Sequence, residues 1–194
     1  RRSLAVAMRR FACRCLHVTV ATAIGVATAR AQTAADARSI VRQARHAYEA
    51  DSSAALDQQW TRALARNATD RLTTLGLASL ESFNAQYDEA ERRYRSLLEQ
   101  RDAVSVYAQL GLAQMLFTQS APGPADSAFG KAATAARAAN DSTALTQALL
   151  GWAIMRARSR SVAEGVALLN GVDKLIPAGD GGLQANYQCT RAAL

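Results

Sequence analysis

Few residues in this chain have side chains suited to catalysis or metal binding. The three cysteines are Cys13, Cys15 and Cys189, and the two histidines are His17 and His46. Cys13, Cys15 and His17 fall in an N-terminal stretch that reads as a secretory leader, so a processed chain keeps Cys189 and His46. One thiol cannot close an internal disulfide, and one thiol with one imidazole cannot make a zinc site. A catalytic cysteine needs an activating neighbour, and His46 lies far away in sequence. Cys189 is therefore expected to be a small buried side chain, and His46 a surface or packing residue. The acids Asp88, Glu89 and Glu91 read as a solvated helix face rather than an acid/base pair. Arg156, Arg158 and Arg160 crowd one turn, where forked guanidinium groups could hold an acidic partner or simply suit a helix C-terminus. No Gly-rich phosphate loop or nucleophile elbow appears. These residues predict no enzyme, no metal and no cofactor.

Charge narrows the partners further. The formal net charge is +7. Residues 1–31 hold six of the 23 basic residues and no Asp or Glu, so 17 basic residues face 16 acids in the remainder. That balance argues against nucleic acid, which needs a basic surface for its phosphates. The leader itself has a positive region, "MRRFACRC" (8–15), then the apolar "LHVTVATAIGVATA" (16–29) and small residues at Ala29 and Ala31. This order predicts a bacterial-type signal peptide over 1–31, a natural start at Met8, cleavage after Ala31, and export to the periplasm or medium. The apolar run is shorter than the ~20 residues that span a bilayer. Membrane attachment is expected only through an uncleaved signal.

The elements that must carry these residues are helical. Ala, Leu, Arg, Gln and Glu dominate, and no alternating apolar/polar run of strand length occurs. Helices are expected near 36–50, 54–66, 70–84, 87–100, 103–119, 124–139, 142–158, 162–175 and 182–194. Asp102 and Asp141 are expected as N-caps, and Ser161 with Glu164 has capping-box spacing.

Three copies of one pattern run through the helices. Leu-Gly occurs at Leu75–Gly76, Leu110–Gly111 and Leu150–Gly151, each followed two residues after the Gly by Ala78, Ala113 or Ala153. Fourteen residues after each Gly stands Ala90, Ala125 or Gly165, and four further on Tyr94, Phe129 or Leu169. Leu56, Trp60 and Ala63 form a weaker first copy. The pattern predicts small-against-small packing, with Gly76, Gly111 and Gly151 facing Ala90, Ala125 and Gly165 and the bulky residue filling beside them. One such hairpin cannot bury its apolar face alone, so stacked copies must bury it jointly.

These residues resemble the tetratricopeptide repeat (TPR) family over about 36–194. "YDEAERRYRSLLE" (87–99) is similar to that family's second helix, Tyr107 to its aromatic before Leu-Gly, and Pro177 to its closing proline. The Gly-to-Ala interval is two residues longer than the family's, and other copies lack the closing proline or leading aromatic, so the chain reads as a divergent member. The resemblance implies an all-α fold, a right-handed α-solenoid of antiparallel hairpins, with about four repeats plus a terminal helix, over residues 32–194. It implies a concave groove lined by first helices, which places His46, Leu77, Glu81, Leu112, Leu116, Trp152 and Arg156 as candidate binding residues. The function expected is a non-enzymatic, exported scaffold that binds a protein or peptide. The alternative is the regulatory N-terminal arm of a larger protein, such as one with a caspase-like peptidase domain, since the last helix ends unpaired at Leu194. That helix is also a candidate surface for self-association.

Overall fold

The computed structural model describes residues 34–194. The expected leader, the Met8 start and the cleavage point lie outside the described residues. Everything described is helix or turn, with no strand among the described residues. The chain is all-α. Its helices are α1 (34–49), α2 (Ser53–Arg66), α3 (Arg71–Phe83), α4 (Tyr87–Ser96), α5 (Ala103–Thr118), α6 (Pro122–Ala138), α7 (Ser142–Ser159), α8 (Val162–Leu169) and α9 (Gly181–Ala193).

Short polar side chains start these helices by binding the free backbone N–H groups of the first turn. Asp70 accepts from Leu72 and Thr73, Asp141 from Ala144, Ser161 from Glu164 and Asp180 from Leu183. Asp102 and Ser105 bond reciprocally at the start of α5. Four helices end on a non-glycine residue in the left-handed region: Asp51, Ala85, Ser120 and Asn140. At each, the next residue's N–H reaches back to a carbonyl in the last turn, as in Gln86 N–H to Glu81 O (2.8 Å) and Ala121 N–H to Leu116 O (3.1 Å). The turns are thus tight and alike. Two expected helices are shorter than anticipated. α4 passes into a 3₁₀ turn at Leu97–Glu99. α8 stops at Leu169, because Gly171 takes φ 78° and a separate 3₁₀ turn, Val172–Leu175, follows.

Each helix from α2 to α7 packs on the next, and α3, α5, α7 and α9 also touch in succession. The main core runs through Leu75, Tyr94, Leu110, Met115, Phe129 and Met155. A smaller core of Ala44, Ala47, Trp60, Leu77 and Leu80 joins α1, α2 and α3.

The recurring glycines are notches, but their nearest neighbours differ from the expected alanines. A Cβ built on Gly76 would lie 2.9 Å from Trp60 and from Ile40. One on Gly111 would lie 2.6 Å from the Tyr94 ring, and one on Gly151 2.7 Å from Phe129. Each notch therefore receives the aromatic ring of the preceding copy. Burying each ring contributes roughly 1.5–3 kcal/mol, and a flat ring can lie directly on a backbone only where the side chain is missing. Ala90 and Ala125 are fully buried. Gly165 does meet a backbone, with Ala153 O 2.6 Å from its built Cβ and Ala157 Cβ at 2.9 Å.

Candidate functional site

Between α5, α6 and α7 lies a groove of about 1460 Å³. α6 turns its alanines (Ala125, Ala128, Ala132, Ala136) and Phe129 into the core. Its other face presents Ser127, Gly130, Lys131 and Thr134 to the groove. Helical periodicity separates the two sets onto opposite sides. Val106 and Gln109 of α5 and Trp152 of α7 also line it, and the loops at Gln100–Asp102 and Ala139–Asp141 close one end. Gly130 leaves room beside Trp152, whose ring lies 3.4 Å from a Cβ built there.

Trp152 is held by a carboxylate clamp. Its indole Nε1 donates to Asp126 Oδ1, which also accepts from Arg156 Nε at 2.7 Å. Asp126 Oδ2 accepts from Arg156 Nη2 at 3.0 Å and from Arg160 Nη2 at 3.3 Å. Arg156 reaches on to Glu164 Oε2 at 3.3 Å and lies 5.0 Å from the Trp152 ring centroid. One carboxylate on α6 thereby ties down α7 and orients the indole. The bonds from Arg156 hold the Asp126 carboxyl below the usual carboxylate range, against a smaller opposing effect of burial. The same bond raises Arg156 above its ordinary value. Arg158 lies over Phe117, 5.7 Å from its centroid. Arg156 and Arg160 are thus bonded within the protein to Asp126, while Arg158 is exposed beside Phe117.

At the closed end, α1 joins α7. Arg38 Nη1 donates to Thr143 Oγ1 at 3.1 Å, across 105 residues of sequence. Tyr107 is 3% exposed, and its hydroxyl, Arg38 Nε and Asp141 Oδ2 are buried without a hydrogen-bond partner. Burial and the Asp141 charge push the Tyr107 hydroxyl well above the ordinary phenol range.

The seven residues expected to line a binding face differ in burial. Leu77, Glu81 and Leu112 are buried. Leu77 packs in the smaller core, and Glu81 accepts from Arg93 Nε at 2.8 and 2.9 Å. His46 is exposed on α1, and Leu116 is half-buried against the core. Trp152 and Arg156 stand together, and of the seven only Trp152 lines the groove. Cys189 is exposed rather than buried, because it lies off the face of α9 that buries Leu183, Tyr187 and Thr190.

Sequence reasoning missed Asp126, Arg38 and Tyr107 as parts of a site. Asp126 and Trp152 are 26 residues apart and share no motif, so no local signal pairs them. Among the described residues no cluster of His, Cys, Asp or Glu could hold a metal ion. None of the described helices is long and apolar enough to cross a membrane. No protein-family model, curated protein or solved structure matches the chain.

Proposed function

We propose that the chain is an exported, non-enzymatic scaffold of stacked helical hairpins, a TPR-like α-solenoid, that binds a peptide segment of a partner protein. The observation that carries this reading is the groove along α6, with an oriented indole at its wall and the cationic side chains of Arg101 and Lys131 along its lining. Concave, largely apolar surfaces with a few fixed polar groups are where ligands are held. A clamped tryptophan also loses little side-chain freedom on binding. The binding surface proposed is this groove rather than the whole row of first helices, because Leu77, Glu81 and Leu112 are covered.

The test is a display selection of linear peptides on the purified chain, with recovered peptides retested by fluorescence. Binding should shift the emission of Trp152, disappear in Gly130→Leu, which fills the groove, and weaken in Lys131→Glu. Peptides that bind Gly130→Leu as well as the parent chain would place binding elsewhere and defeat this assignment.

A further inference from the structure

α1 is held differently along its length. Its C-terminal half buries Ala44 and Ala47 against Trp60, Leu77 and Leu80, and Arg45 lies 5.7 Å from the Phe83 ring centroid. Its N-terminal half buries Ala37 completely, with Ile40 and Val41 partly covered. That half ends on the Arg38–Thr143 bond, with Arg38 Nε, the Tyr107 hydroxyl and Asp141 Oδ2 all buried and unpaired. Buried polar atoms left in this state disfavour the closed junction, and opening it returns them to water. The opening is thereby made easier at one end of the helix only. Ala34, at the start of α1, lies on the lining of the groove together with Ala138–Asp141.

We propose that residues 34–41 form a displaceable strap closing one end of the groove, with Arg38 standing where a basic side chain of the partner docks. This rests on the groove being the binding surface. With the strap lifted, that end offers the Asp141 carboxylate and the Tyr107 and Thr143 hydroxyls. This is an acceptor-rich set with one fixed negative charge. The partner that suits it is a helical peptide with apolar residues at the Ala37, Ile40 and Val41 spacing and an Arg or Lys next to the first of them. The strap is then a resident copy of the ligand, and a partner binds by replacing it.

Hydrogen exchange on the intact chain tests the strap without any ligand. Amides of 37–41 should exchange at least about tenfold faster than those of 44–47. Arg38→Ala should speed them further while leaving α6 and α7 unchanged, and Arg38→Lys should restore part of the protection. A synthetic peptide of residues 34–41 added in trans tests the site. It should bind Arg38→Ala measurably more tightly than the parent chain, and its own Arg38→Ala version should not bind. Equal protection along α1, unaffected by Arg38→Ala, would overturn the strap and leave the groove assignment standing. A strap that opens as described while both peptides bind alike would overturn the basic-partner docking alone.

Discussion

Two carboxylates, Glu81 in α3 and Asp126 in α6, each tie their helix to a neighbour through an arginine, yet they respond oppositely to the protein around them. Glu81 is 7% exposed at its side chain and meets a single arginine, Arg93. Burial wins there and raises its carboxyl above the ordinary value of 4.5, despite the pair. Asp126 is 18% exposed and receives bonds from Trp152, Arg156 and Arg160. Hydrogen bonding wins there, and its carboxyl is held below the ordinary 3.8. A buried ion pair is therefore not one kind of interaction. The number of donors reaching the carboxylate, set against the water it has lost, decides whether the charge is welcome.

The largest effect that sharpens this contrast is expected from Asp126→Ala. It leaves the Trp152 N–H and Arg156 without their acceptor, and should lower stability by about 2–4 kcal/mol in urea unfolding. Glu81→Gln, at a site where the charge is already disfavoured, should change stability by less than about 1 kcal/mol. Equal losses from both would break the comparison.

The glycines differ in the gap each leaves to its neighbour. Gly111→Ala and Gly151→Ala drive a methyl group into Tyr94 and Phe129, and should each lower stability by about 1–3 kcal/mol. Gly130→Ala meets Trp152 at 3.4 Å and gains helix propensity of up to about 1 kcal/mol, so it should be neutral or mildly stabilising. Thermal midpoints of the three variants should rank accordingly.

Next is pH. For Asp126, whose folded value is depressed, the stabilisation is complete above the unfolded value near 3.8 and is lost as pH falls through the folded value. For Glu81, whose folded value is raised, the folded state holds its proton longer, so its contribution declines as pH rises from 4.5 through the folded value. Urea midpoints from acid to neutral pH should therefore show Asp126→Asn removing a rise and Glu81→Gln removing a fall. Slopes of the same sign would contradict the assignment.

The smallest effect concerns the turns. Ala85 holds φ 61°, and Ala85→Gly should raise stability by about 0.5–1 kcal/mol in equilibrium unfolding. A loss there would mean that the alanine side chain does more than fill a turn.

Much of this was legible beforehand because it is local. Asp102, Asp141 and Ser161 cap helices where their spacing placed them, since a cap needs only residues two or three apart. The Leu-Gly copies marked notches for the same reason, as one residue type at one offset. The partners of those notches were not legible. Whether Ala125 or Tyr94 lies nearest Gly111 depends on how neighbouring hairpins stack. The Asp126 clamp and the Arg38–Thr143 bond, formed by residues 30 and 105 positions apart, have no pattern at all in the chain.

What the sequence by itself determined is where helices begin, turn and expose polar faces, because backbone capping and 3.6-residue periodicity act over a few residues. Only the tertiary structure decided which side chains remain reachable. Leu77, Glu81 and Leu112 were lost to the interior while Trp152 stayed at a groove wall. Burial depends on distant helices closing over a face, and no short stretch of chain carries that information.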